Sequence, residues 1–178
     1  SDVYKRQGLD EGAYNVPFIL SLSGQLDRDS FLLSFGALLE RHGSLRTLLK
    51  SDEKENPAAF LMPLRGIELP VFHENAENRE QAMERSLEFV ARGFDVSTDL
   101  PIRCLIVSFG EQSIIALSFH HHAVDENSLS TIAEEFTVGC RKGGLEELGE
   151  SSKEKVEYHD WAAWQHEAVS YTHLTLPT

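Results

Sequence analysis

Val16, Phe18, Leu20 and Leu22 alternate with Pro17, Ile19, Ser21 and Ser23, a period-two pattern that predicts a strand closed by Gly24. Pro17 has no backbone donor, so the strand belongs at a sheet edge or begins there. Beyond Asp27 the period lengthens. Phe31, Leu32, Phe35, Leu38 and Leu39 fall on one helical stripe, with Asp27 as the N-cap and His42-Gly43 as the stop. Leu45 to Leu49 reads as a short extended piece, Ser51 to Pro57 as a polar loop, and Ala58 to Met62 and Leu69 to Phe72 as short strands. Asn78 and Gln81 have the spacing of a capping box. After them Ala82, Met83, Leu87, Val90 and Ala91 keep a helical period up to Gly93.

Ile102 to Phe109 and Ser113 to Phe119 are β-rich runs joined by Gly110-Glu111-Gln112, which predicts a hairpin. The second run is apolar at consecutive positions, Ile114-Ile115-Ala116-Leu117, as a central strand buried on both faces requires. It leads directly into His120-His121-His122-Ala123-Val124-Asp125. Asn127 or Ser128 then caps a helix that uses Leu129, Ile132, Ala133 and Phe136. Gly143 to Glu157 reads as a charged connecting loop, and Tyr158 to Ala168 as a helix with Trp161, Trp164 and Ala168 on one side. Strands and helices thus succeed one another in an α/β pattern, with no internal repeat.

Composition narrows the function classes. With 41% apolar and 25% charged residues, the 178-residue chain can bury one sizeable core. Sixteen Lys and Arg against 29 Asp and Glu give a formal charge of −13, the wrong sign for tracking phosphates, so no nucleic-acid partner is expected. No run approaches the length of a membrane span and the first residues lack an apolar secretory stretch, so no membrane partner and a cytoplasmic location are expected. Cys104 and Cys140 lack C-x-x-C spacing and read as reduced thiols packed as small hydrophobes. Residues 1–7 and 170–178 continue no interior pattern and resemble translated sequencing-adapter sequence. The expected natural domain is therefore 8–169, a fragment of something longer.

Three consecutive histidines at the exit of a buried strand, with Asp125 in the next turn, are the chemistry-bearing feature. Imidazole needs polar partners when desolvated, and side chains on an extended segment alternate. His120 and His122 should face one way and His121 the other. His120, His122 and Asp125 could in principle supply three metal ligands, but no H-E-x-x-H pattern or second Cys/His cluster completes such a site. No metal is expected.

Read as His120-His121-x-x-x-Asp125, the cluster resembles the H-H-x-x-x-D-G motif of condensation domains from nonribosomal peptide synthetases. Other segments are similar to that family in its own order. Tyr14-Asn15-Val16-Pro17 resembles Y-N-x-P, and Arg41-His42-Gly43-Ser44-Leu45-Arg46-Thr47 resembles R-H-x-x-L-R-T. Phe94-Asp95-Val96 with Leu100-Pro101-Ile102-Arg103 resembles F-D-L...P-L-R, and Tyr158-His159-Asp160-Trp161-Ala162-Ala163-Trp164-Gln165 resembles Y-x-D-Y-A-x-W-Q. The resemblance covers essentially Gly8 to Gln165. It implies a chloramphenicol-acetyltransferase-like lobe, a mixed and mostly antiparallel sheet flanked by helices, with the C-terminal lobe missing.

The resemblance also implies an amide-forming acyltransferase. Such a domain joins an acyl or peptidyl thioester on one peptidyl carrier domain to the amine of an aminoacyl thioester on another. Both substrates hang on 4′-phosphopantetheine, the domain itself binds no cofactor, and an adenylation domain lies in cis. By the motif, His121 takes the catalytic position with His120 beside it, and Asp125 holds the loop, paired to Arg46 or, alternatively, Arg103. An α-amine titrates near roughly 8 and imidazole near roughly 6.5, so proton exchange between them is nearly matched. Glu126 replaces the motif's glycine, a strained choice only if that position needs a positive φ. Ser128-Leu129 departs from the Ser-Trp of epimerisation domains, and the histidines depart from cyclisation domains. Two alternatives stay open: a noncatalytic carrier-recognition domain of the same fold, and a stand-alone CoA-dependent acyltransferase.

Overall fold

The structure, a computed structural model, describes residues 12–24, 26–52 and 54–142. The chain divides into two compact units, Ser1–Glu147 and Leu148–Thr178, and all described residues lie in the first. The expected loop at 143–157, the helix at 158–168 with the Tyr158 to Gln165 segment, the adapter-like ends and the side chains of Glu126, Asn127 and Cys140 lie outside the described residues.

Among the described residues, six strands and three helices follow in the order β1 (Asn15–Ser23), α1 (Arg28–Arg41), β2 (Thr47–Ser51), β3 (Pro57–Leu61), β4 (Val71–Asn75), α2 (Arg79–Ala91), β5 (Ile102–Phe109), β6 (Gln112–His120) and α3 (Glu126–Lys142). Four of the strands form a sheet in the order β1-β6-β5-β4, and β2 pairs with β3 apart from it. β1–β6 and β5–β6 are antiparallel, with Asn15 opposite His120 and Ile102 opposite Phe119, while β4 runs parallel to β5. The sheet is thus mixed and mostly antiparallel, with helices on both faces. β1 is an edge strand, where Pro17 forfeits least.

Alternation along the two central strands divides the core. Ile102, Cys104, Ile106, Ile115, Leu117 and Phe119 face Phe31, Phe35 and Leu38 of α1 and Ile132 and Phe136 of α3. Leu105, Val107, Ile114 and Ala116 face Ala82, Phe89 and Val90 of α2. Cys104 is fully buried, a small hydrophobe in the larger cluster. The β5–β6 hairpin turns at Gly110, whose φ of 57° meets the requirement for a positive φ at the first central position of a two-residue loop.

Several boundaries differ from the sequence expectation. Leu45 lies in a 3-10 turn, Gly43–Arg46, that drives its side chain into the core, and extension begins only at Thr47. The strand expected at Leu69 starts at Val71, because Pro70 has no donor and offers only its carbonyl, which accepts from the Cys104 amide at 2.8 Å. Asn78 caps α2 by accepting from the Gln81 amide at 2.9 Å, while Gln81 Oε1 reaches back to the Glu77 amide rather than to that of Asn78. Helix α3 begins at Glu126, not beyond Asn127 or Ser128. Asp125 is its cap: Oδ1 accepts from the Ser128 amide at 2.7 Å and the carbonyl from Leu129 at 2.9 Å. The motif-glycine position held by Glu126 is therefore helical backbone and needs no positive φ. Among the described residues no helix is long and apolar enough to cross a membrane.

Candidate active site

Strand β6 carries small and polar residues on the α2 face as it nears its end: Ala116, Ser118, then His120. The backbone there is fastened from both neighbours. The His120 amide donates to Pro101 O at 3.0 Å, just before β5, and the His121 amide donates to Tyr14 O at 2.9 Å, just before β1. Ala123 N then bonds His120 O at 2.9 Å and turns the chain toward α3. His120 and His122 consequently share one side, while His121 points away from them.

His121 is exposed, and its Nδ1 lies 3.2 Å from Val124 O. A carbonyl only accepts, so Nδ1 carries the hydrogen and Nε2 presents its lone pair. His120 is partly buried between Tyr14, at 6.0 Å between ring centroids, and the edge of Phe94, at 5.9 Å. His122 lies on the same side. Its Nδ1 is 2.8 Å from His120 Nδ1 and its Nε2 is 3.1 Å from Thr47 O. Burial, then repulsion from His122 and from His121, pushes His120 down to about 4. Burial also lowers His122, against the hydrogen bond to Thr47, which favours its charged form. Near neutral pH both rings are uncharged, and His121 is the exposed imidazole of the three, the other two being half-buried.

Both arginines bond main-chain carbonyls. Arg46 donates from Nε to Leu39 O at 3.0 Å and from a terminal nitrogen to Met62 O at 2.7 Å, fastening the end of α1 to the end of β3. Arg103 donates to Gly93 O at 2.9 Å and to Arg92 O, and lies 4.0 Å from the Phe94 ring centroid. Its stacking holds Phe94 against His120. These hydrogen bonds of both guanidiniums go to main-chain carbonyls. Asp125 binds Ser128, through Ser128 Oγ at 2.5 Å as well as its amide. The cause is local: free carbonyls at the end of α2, of α1 and of β3 lie within reach of guanidinium forks, and a helix start demands an acceptor.

Two further supports lie outside the residues singled out by the motifs' chemistry. Glu135 on α3 contacts His42 Nε2 at 2.7 Å and lies 3.6 Å from Arg41 Nε, tying the Arg41-His42 pair to the helix that follows the histidines. Asn15 donates to Val90 O at 2.7 Å and Arg92 O at 2.6 Å, and Ser118 Oγ to Val90 O at 3.3 Å, so the carbonyl end of α2 is satisfied by side chains from β1, β5 and β6. Glu135 follows another acid on a helix and carries no sequence signal of its own. Asn15 lies within the Tyr14 to Pro17 segment, which is the signal that could have found it. Among the described residues no group of three or more His, Cys, Asp or Glu is arranged to hold a metal ion.

A sequence model described as Condensation domain matches residues 6–174. The chain belongs to the condensation-domain family. Curated relatives of this condensation domain include a plipastatin synthase of Bacillus subtilis, 30% identical over 89% of this chain and 6% of the relative. Tyrocidine synthase 3 of Brevibacillus parabrevis is 32% identical over 86% of this chain and 2% of its own length. The chain thus spans a small part of the relatives it matches. Among solved structures, the epimerization domain from the third module of tyrocidine synthetase B superposes with a TM-score of 0.75 at 18% identity, covering 96% of this chain and 42% of that one. The X-domain from teicoplanin biosynthesis gives 0.75 at 18% identity over 92% and 36%. These likenesses show the fold, over 42% and 36% of those two chains.

Proposed function

We propose that this condensation domain, completed by its second lobe, forms an amide between two carrier-bound thioesters, with His121 handling the proton. The amine nitrogen attacks the thioester carbon, the C–N bond forms, the C–S bond breaks, and the carrier thiolate leaves. The proton lost by the nitrogen passes to His121 Nε2 and from there to the leaving sulfur. Supporting this reading is the His121–Val124 hydrogen bond, which reserves the exposed Nε2 lone pair for an incoming N–H. Both substrates would arrive on 4′-phosphopantetheine arms of peptidyl carrier domains, with an adenylation domain in cis, and the domain would bind no cofactor of its own.

His121→Ala in a domain extended through the second lobe should lower amide formation from loaded carriers by about 10² to 10⁴ with the fold intact, the range for losing a positioned acid or base. Unchanged turnover would remove His121 from the mechanism. The 178-residue chain alone should be inert, because one lobe does not hold both thioesters in attack geometry. Turnover by the chain with acyl-CoA would favour the stand-alone acyltransferase instead. Carrier binding without turnover in the extended domain would favour the noncatalytic one.

A further inference from the structure

Asn15 is a half-buried polar side chain to which the proton transfer above assigns no role. Its Nδ2 lies 2.7 Å from Val90 O and 2.6 Å from Arg92 O. Carbonyls only accept, so both hydrogens of the amide are committed to the C-terminal end of α2, where helix carbonyls have no partner of their own. Oδ1 is buried and pairs with no described residue, so the nitrogen alone does the fastening. The backbone around this side chain meets the histidines. Asn15 stands opposite His120 in the ladder, and Tyr14, one residue before it, accepts from the His121 amide at 2.9 Å. The turn that enters β1 is seated on the same helix end. Asn15 N donates to Gly12 O at 3.0 Å, and a Cβ at residue 12 would clash with Ala91 O, so only glycine allows the approach. We propose that Asn15 is a positioning residue: it fixes the first residues of β1 against α2, so that Tyr14 O holds the His121 amide and sets the direction in which that imidazole projects. The role rests on the condensation reading only in the step from placement to turnover.

Ser118 and Arg103 also donate to the carbonyl end of α2, but from strands that are already paired on both sides. β1 is paired on one side only, and the grip of α2 through Asn15 supplies the support that its open edge lacks. Freed from that grip, the end of β1 keeps a single ladder partner, and the carbonyl that holds His121 moves with it. His121 offers Nε2 from an exposed position, with the Val124 carbonyl orienting its ring, so the place at which its main chain is held decides where the lone pair meets an incoming amine.

Amide hydrogen exchange in the 178-residue chain tests the placement. Asn15→Ala should speed exchange at His121 about tenfold beyond any change at Ile115, whose amide reports opening of the whole sheet. Val107→Ala, which opens a cavity near the hairpin end of β5 and away from the histidines, should speed both alike. Equal acceleration of the two amides in the Asn15 variant, or none, overturns the proposal. In the domain extended through its second lobe, Asn15→Ala should lower kcat about tenfold with KM unchanged, the scale of a displaced reacting group. Val107→Ala, assayed below its melting temperature, should keep kcat. If the alanine variant of Asn15 fails to fold, Asn15→Ser, which retains one donor, carries the same two readouts. Faster exchange at His121 with unaltered kcat overturns the positioning role and leaves the condensation reading standing. An inert unsubstituted domain overturns that reading and leaves the exchange result intact.

Discussion

The two faces of the sheet are built differently, although the same two strands supply both. Toward α1 and α3 the residues remain large and apolar up to Phe119, and Phe31 and Phe35 meet Phe136 there edge to face at 5.1 and 6.4 Å. Toward α2 the residues diminish and turn polar, from Ile114 through Ala116 and Ser118 to His120, while Asn15 and Arg103 bond the carbonyls at and just beyond the helix's end. One face holds the domain together by removing hydrocarbon from water. The other gives up some of that burial to seat an uncharged imidazole pair under the turn that exposes His121.

Phe35→Ala should have the largest effect on this comparison, about 3 to 5 kcal/mol of stability in denaturant melts, because a fully buried ring leaves a cavity between two helices. Ser118→Ala, on the other face, loses only a hydrogen bond worth about 0.5 to 1.5 kcal/mol, and a loss equal to that of Phe35 would erase the distinction. Acid should act next, and selectively on the α2 side. His120 titrates at about 4 in the fold against an ordinary 6.5, so the folded state holds fewer protons between those values. The stability it carries is complete above about 6.5 and is lost progressively as pH falls toward and through about 4. His120→Asn should flatten the fall of Tm over that window, leaving the lower-pH loss from Asp27 and Asp52, whose carboxyls hydrogen bonds hold below the usual range. A slope unchanged by the substitution would place the acid sensitivity elsewhere. Asp125→Ala should have an effect as small as that of Ser118→Ala, about 1 kcal/mol for a lost N-cap. A loss of about 3 to 5 kcal/mol in the same melts would instead indicate a broken buried ion pair.

Much of the apolar face was legible in the sequence, since alternation in β1, the continuous run in β6 and the stripe in α1 each have one periodicity and one way to bury it. The histidine alternation was legible for the same reason. Partners of long polar side chains were not. The family resemblance implies Asp125 as the partner of Arg46 or Arg103, whereas the guanidinium bonds to main-chain carbonyls carry no signal in the sequence. Helix starts show the same ambiguity: Asp125, Asn127 and Ser128 are all good caps, and only the turn at Ala123 selects the first. β4 was legible as a strand but not as parallel to β5, because direction depends on the α2 crossover and not on the strand's own five residues.

The amides of His120 and His121 are bonded to Pro101 and Tyr14, residues belonging to two different neighbouring strands' approaches. Neither amide can open while β1 and β5 stay seated against β6, so their protons should exchange with solvent deuterium only in the slow class that reports opening of the whole sheet. The His121 imidazole, one residue's reach away, meets water freely. Amide exchange as slow as that of Ile115 at these two positions, beside fast exchange in the β2–β3 ribbon, would show a reactive group mounted on one of the least yielding pieces of backbone in the domain. Orientation there would then be retained through every local fluctuation short of unfolding.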